Sequence, residues 1–136
     1  MNDCLFCKIV RKELAAEILF EDEKTMALLD AHPDNPGHVL VVPKVHAETF
    51  LAASPEDARA VTDTVHHVTP YILKAVGASA CNFASNCGKI AGQVILHYHH
   101  HIIPRFEGDG FTLWHGKNAS NEELAATAKK IRERLG

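Results

Sequence analysis

The sequence predicts an α+β domain on an antiparallel sheet, and three observations lead to that reading. Short apolar, β-prone runs and two amphipathic helical patterns follow one another as strand, strand, strand, helix, strand, strand, helix. An acidic turn and the signal PDNPG separate the first three runs, which makes them antiparallel neighbours. No internal repeat, low-complexity tract or linker interrupts the 136 residues, 46% of them hydrophobic and 23% charged, so one domain is expected over 1–136. The sheet should have about five strands, with one long helix and a C-terminal helix, both on one face.

Residues 17–21 (EILFE) and 25–30 (TMALLD) flank Asp22-Glu23-Lys24, and 38–43 (HVLVVP) follows PDNPG. Ser54 is a natural N-cap with Pro55 at the first helical position and Glu56 and Asp57 in the first turn. Ala58, Val61, Val65, Val68 and Ile72 follow at helical spacing, which gives the long amphipathic helix. Pro70 removes one amide donor and crowds the preceding turn, so a kink or a break is expected there. Residues 80–86 (ACNFASN) and 93–104 (QVILHYHHHIIP) read as strands joined by CGKIAG. Segment 106–119 is loop-like, and Ser120 with Glu123 forms a capping box that opens the last helix.

With a formal charge of -3 and dispersed, balanced Lys and Arg, the chain has no electrostatic footprint for nucleic acid or an anionic membrane. Asp3 stands where a signal peptide needs a basic, then apolar, start, and no apolar run spans a bilayer. The expected location is the cytoplasm. There the four cysteines are thiols or thiolates rather than disulfides. Cys4-x-x-Cys7 has a metal-type or redox-type spacing, and Cys81 and Cys87 read as small buried hydrophobes.

The stretch HYHHHIIPR places four histidines in five residues. In a strand, His97, His99 and His101 share one face at intervals of roughly 6.6 Å, with Tyr98, His100 and Ile102 on the other. Lone histidines are most often surface or satisfied core residues, and a strict alternate triple weakens that reading. A metal site built from two of them would need a third ligand from elsewhere. Nucleophilic catalysis is the other possibility, since a neutral imidazole has a free ring nitrogen able to attack phosphorus once an acceptor holds the proton on its partner nitrogen. The preceding loop NCGKIAGQ offers Asn86, Gln93 and backbone amides freed by Gly88 and Gly92, all uncharged groups suited to a phosphate. There is no P-loop motif and no carboxylate cluster for Mg²⁺, so no Mg²⁺ requirement is expected.

AGQVILHYHHHIIPR resembles the histidine triad (HIT) signature, and GHVLVVPKVH at 37–46 resembles the same family's upstream block. The spacing of Asp30, His38, His46, Asn82, Asn86 and Gln93 is similar to that of bacterial HIT proteins, so the resemblance runs from about Cys4 to Arg105. It implies a HIT-like fold and a hydrolase acting on a purine nucleotide of the AMP type. His99 would attack the α-phosphate to form a nucleotidyl-histidine, with His101 and His38 as flanking donors and Asn86 and Gln93 in support. Asp30 would accept hydrogen bonds from the ribose hydroxyls, beside a base slot formed by Phe6, Ile9, Leu29 and Leu40.

Cys4, Cys7, His46 and His97 match a zinc site of a subset of bacterial HIT proteins, where the ion would be structural; the alternative is an unmetallated or redox cysteine pair. Two positions depart from the family pattern. His100 replaces an apolar residue, and Val94 replaces the usual Ser or Thr after the Gln, which removes a hydroxyl from the neighbourhood of the phosphate. The favoured substrates are nucleoside 5′-phosphoramidates or related AMP conjugates. The alternatives are a dinucleoside polyphosphate of the Ap4A type, a zinc-stabilised nucleotide-binding module without significant catalysis and, last, a metallohydrolase with the triad as ligands. The family usually forms homodimers through the long helix and a sheet strand, and Trp114 with its loop is placed to reach a neighbouring subunit's site.

Overall fold

A computed structural model describes residues 3–136. Among these residues five strands form one antiparallel sheet: β1 (Ile18–Glu21), β2 (Thr25–Leu29), β3 (Val39–Pro43), β4 (Ala80–Ala84) and β5 (His100–Arg105), in the order β1-β2-β3-β5-β4. The Asp22 carboxylate closes the first hairpin by accepting from the amides of Lys24 and Thr25 at 2.9 and 2.8 Å. All of β3 and the first four residues of β2 are buried, as their near-continuous apolar runs require of strands covered on both faces.

The two faces have different covers. Helix α2 (Pro55–Val76) lays Val61, Val65, Val68 and Ile72 on Ala27, Val39, Val41, Tyr98 and Ile102. Helix α1 (Leu5–Val10) lays Phe6 and Ile9 on Met26, Leu28, Leu40 and Val42 of the opposite face. Burial of each such side chain contributes on the order of 1.5–3 kcal/mol. Helix α3 (Asn121–Leu135) opens with the Ser120–Glu123 capping box but buries none of its residues. The expectation that the helices share one face is therefore corrected: α2 covers one face, the unexpected α1 covers the other, and α3 packs on neither.

Ser54 Oγ caps α2 by accepting from the Asp57 amide at 3.0 Å, and Gly77 ends it in the left-handed region. The helix runs unbroken through Pro70. That residue lies on the exposed side of the helix, away from the sheet.

The last strand is shorter than expected, beginning at His100 rather than residue 93. Its ladder with β3 ends where Val41 faces His100. Two positions further along β3, Pro43 has no amide to donate, and its carbonyl accepts from the His97 ring instead. The alternation of side chains persists across this break: Tyr98 and Ile102 enter the α2-covered core, while the rings of His97 and His99 meet Phe6 of α1. Cys81 is half-buried and Cys87 exposed, so neither is the buried hydrophobe expected.

Candidate active site

The histidines lie under α1, where β3, β5 and the segment before β5 converge. Nδ1 of His99 is 2.7 Å from the main-chain oxygen of His97. A carbonyl only accepts, so Nδ1 carries a proton, and in the neutral ring the lone pair is on Nε2. The His99 carbonyl in turn accepts from Ser85 Oγ at 2.8 Å, and the Tyr98 amide donates to the Ala47 oxygen at 2.7 Å. The backbone of the triad is thus held on both sides, and the His99 ring is buried against the Phe6 edge at 5.2 Å between centroids.

His38 and His101 form a second, ordered pair. The Asp34 amide donates to His38 Nδ1 at 3.0 Å, which makes that nitrogen an acceptor. The His38 proton is then on Nε2, 2.9 Å from His101 Nδ1 and 3.5 Å from Asp30 Oδ2. His101 Nδ1 accepts, leaving Nε2–H as the free donor of His101. Burial, aided by the neighbouring His99 and His38, pushes the His101 pKa down to about 4, and burial lowers that of His38. Both rings are neutral at pH 7.

Asp30 lies just beyond β2, its amide bonded to the His38 oxygen at 2.9 Å and its Oδ1 accepting from the His32 amide at 2.8 Å. It opens on a cleft of about 580 Å³ whose wall includes Phe6, Ile9, Leu29 and Leu40, so the four residues expected to form an apolar slot do line one space beside it.

The loop before β5 is placed differently from its sequence reading. The Gln93 amide is spent within the chain: its Oε1 accepts from the Gly88 amide at 2.9 Å, and its Nε2 donates to the oxygens of Glu48 and Ile95 at 2.6 and 3.0 Å. It braces the loop. Asn86 makes only a long bond, 3.4 Å, from Nδ2 to the Gly92 oxygen and is half-buried. Val94 is 89% exposed. His100 sits at the far face near Phe83, and its buried Nδ1 has no hydrogen-bond partner among the described residues.

Four donors meet on the other side of His99. Cys4 Sγ lies 3.3 Å from His97 Nδ1; Cys7 Sγ lies 3.4 Å from His46 Nδ1 and 3.6 Å from His97 Nδ1; and the two Nδ1 atoms are 3.2 Å apart. Zinc bonds of about 2.3 Å to sulfur and about 2.0 Å to nitrogen, arranged tetrahedrally, set nitrogen from nitrogen at about 3.3 Å and sulfur from nitrogen at about 3.5 Å. His97 is fully buried, and its Nε2–H donates to the Pro43 oxygen at 2.8 Å, so its Nδ1 lone pair is aimed into the cluster. Cys4 also caps α1, its Sγ accepting from the Cys7 amide at 3.4 Å. The donor set fits a tetrahedral metal ion.

Asp30, His38 and His101 also bring three donor atoms together. They do not suit a cation, because the Asp34 amide occupies His38 Nδ1 and keeps a proton on the Nε2 that a metal would need.

A family profile described as HIT domain matches residues 11–108. The chain belongs to the HIT domain family. This HIT chain is 40% identical over 123 residues to an adenylylsulfatase of Arabidopsis thaliana, covering 90% of this chain and 61% of the plant protein. It is 36% identical over 134 residues to an adenosine 5′-monophosphoramidase of Schizosaccharomyces pombe, covering 97% and 98% of the two chains. A crystal structure of a HIT family member from Bacillus subtilis superposes with a TM-score of 0.91 at 33% identity, with 98% of each chain covered. A zinc-bound histidine triad family protein from Mycobacterium smegmatis superposes at 0.77 and 28% identity, again with 98% of each chain covered.

The HIT site also uses groups that the sequence reading missed. The Asp34 amide is a main-chain donor and has no residue-type signature. Ser85, beside the expected Asn86, fixes the His99 peptide, and Asn35 and Asp109 bond to each other at 2.8 Å from segments 74 residues apart.

Proposed function

We propose that this HIT protein hydrolyses nucleoside 5′-phosphoramidates or related AMP conjugates at the α-phosphate through a covalent intermediate on His99. The observation that supports this most is the His99 Nδ1–H···O bond to His97, which fixes the ring so that the lone pair of the neutral tautomer is on Nε2. In the first step the Nε2 lone pair forms a bond to phosphorus, and the bond to the leaving group breaks with its electron pair. The positive charge that develops on the imidazole is stabilised by the His97 carbonyl. The His101 Nε2–H donates a hydrogen bond to the departing atom or a phosphoryl oxygen, with His38 holding the other side of that ring, and a departing nitrogen takes its proton from solvent. In the second step water attacks phosphorus and gives up a proton to solvent, the Nε2–P bond breaks with its electron pair returning to Nε2, and AMP leaves.

Asp30 binds the ribose hydroxyls and the cleft lined by Phe6, Ile9, Leu29 and Leu40 takes a purine base. Asn86 contributes its lightly used amide to the phosphate. The names of the fission-yeast and plant relatives support an adenylyl substrate. The test is turnover of adenosine 5′-phosphoramidate beside Ap4A by the wild type and His99→Ala. The reading requires the phosphoramidate to be preferred and its turnover to vanish in the variant while AMP still binds. AMP binding without turnover by the wild type would instead indicate a nucleotide-binding module.

Zinc is the ion that the Cys4, Cys7, His46 and His97 cluster takes, supported by donor spacing and by the zinc-bound mycobacterial relative. When bound, it supplies a structural cross-link and no step of the reaction. The partner in solution is a second copy of the chain. β4 ends the sheet with an edge on which Phe83 is exposed, and α3 presents Leu124, Ile131 and Leu135 to solvent. Light scattering reports a dimer if this is right and a monomer if it is not.

A further inference from the structure

We propose that Asn35 and Asp109 are positioning residues that fix which nitrogen of His38, and through it of His101, carries the proton. The kinetic consequence rests on the hydrolase reading above; the proton placement does not.

Neither side chain bonds to the His38 ring. What reaches its ring is the Asp34 amide, 3.0 Å from Nδ1, and that amide belongs to the turn that enters β3. The turn is closed by the His38 amide on the Asn35 oxygen at 3.1 Å and by Gly37 at φ +85°. Such a turn carries no apolar anchor of its own. Its anchor is the Asn35 side chain, whose Nδ2 donates to the Pro104 oxygen at 2.9 Å and to Asp109 Oδ2 at 2.8 Å. Pro104 lies on the same strand as His101, three residues on, so the donor to His38 and the acceptor of His38 are referenced to one piece of backbone.

Asp109 is built to hold its end. Oδ2 also accepts from the Phe106 amide at 3.0 Å and Oδ1 from the Phe111 amide at 2.9 Å. Arg105 Nη1 is 3.7 Å away, and its guanidinium is fixed by Asn82 Oδ1 at 2.7 Å and by the Phe111 ring at 4.6 Å. The two hydrogens of one amide nitrogen are both used, which explains Asn at position 35: a carboxylate there would offer no donor and would face the Asp109 carboxylate. If Asn35 lets go, the Asp34 amide is free to leave Nδ1. His38 can then carry its proton on either nitrogen, and His101 loses the donor that keeps its own proton on Nε2.

The test uses the full chain, ¹⁵N-labelled, as purified. Long-range ¹H–¹⁵N spectra at pH 7 report the protonation of each histidine nitrogen, and adenosine 5′-phosphoramidate turnover is measured alongside. Wild type shows His38 unprotonated at Nδ1 and protonated at Nε2. Asn35→Asp and Asp109→Asn move the Nδ1 shift of His38 toward the protonated end, and kcat falls about tenfold with KM changed by less than about twofold. Should Asn35→Asp fail to fold, Asp109→Asn is read by the same signals. The proposal is overturned if His38 keeps the wild-type pattern in the folded variants, or if kcat falls with that pattern intact, since either outcome leaves the pair merely structural. A wild type without phosphoramidate turnover defeats the hydrolase reading alone, because the spectra still decide the proton placement.

Discussion

The His99 ring is fastened to the peptide unit of His97: Nδ1 of the one lies 2.7 Å from the main-chain oxygen of the other. The side chain of His97 points into the cysteine cluster, with its Nε2–H on the Pro43 oxygen. A candidate metal ligand and a candidate nucleophile therefore share one rigid segment. Phe6 couples them a second time, since its ring meets His97 and His99 edge-on at 5.7 and 5.2 Å.

The first consequence concerns the metal. One zinc per chain is expected by elemental analysis, and Cys7→Ala should lose it. Chelation should lower Tm by on the order of 10 °C, because the ion ties α1 to the segment before β5. Turnover should fall with the metal, through the loosened His97 peptide. A metal-free protein that keeps both its Tm and its full turnover contradicts this linkage.

Phe6 is buried between the α1 face of the sheet and the two imidazoles, so Phe6→Ala leaves a cavity beside His99. Urea unfolding of the metal-loaded protein should show a loss of about 3–5 kcal/mol, and AMP affinity should drop because the same ring lines the cleft. A loss below about 1 kcal/mol would mean that the site collapses without cost.

Acid should act through His101. Its folded pKa is about 4, below the ordinary 6.5 of an exposed imidazole. Between those values the unfolded chain binds more protons than the folded one, so stability falls as pH drops from about 6.5 toward 4 and is level above about 7. His38, also held low by burial, adds in the same direction. Carboxylates titrate at the lower end of this range too, so the informative quantity is the difference between wild type and His101→Gln. Wild type should lose ground against the variant across this window in urea midpoints. A gap that stays constant or widens in its favour would refute the assignment.

Two glycines separate backbone strain from crowding. A Cβ at Gly37 (φ +85°) would lie 2.9 Å from Val76 Cγ1 and 3.2 Å from Pro104 Cγ, whereas at Gly77 (φ +74°) nothing lies within 4 Å. Gly77→Ala should cost about 1–2 kcal/mol, the left-handed penalty alone. Gly37→Ala should cost more than Gly77→Ala and also disturb His38, because it distorts the turn that presents the Asp34 amide. Equal losses in thermal unfolding would show that Val76 moves aside freely.

Much of this was legible from residue order. The four strand runs at 17–21, 25–30, 38–43 and 80–86, the Ser54 cap and the Ser120–Glu123 box appear within a residue or two of their places, because local pattern and burial agree there. Helix α1 escaped notice since it has only six residues and its cap is a cysteine rather than Ser, Thr, Asp or Asn. The apolar alternation extends β5 back to residue 93, but what ends its ladder is Pro43 on the neighbouring strand, which the pattern of one strand does not carry. Gln93 has the residue type of a phosphate ligand, and only the fold reveals that Glu48, Ile95 and Gly88 have claimed its amide. The clustering of Cys4 and Cys7 with His46 and His97 was expected from family resemblance rather than spacing, and the structure brings those four together.

The central claim is that His99 Nε2 bonds to phosphorus. Quenching the wild type in alkaline denaturant, where an N–P bond to histidine survives as it does not in acid, during turnover of adenosine 5′-phosphoramidate labelled in the phosphate, followed by peptide mapping at alkaline pH, tests it most directly. The account predicts label on His99, absent from His99→Ala and still formed when Cys87 is replaced. Label on another residue, or brisk turnover with no labelled peptide at any time, would contradict it.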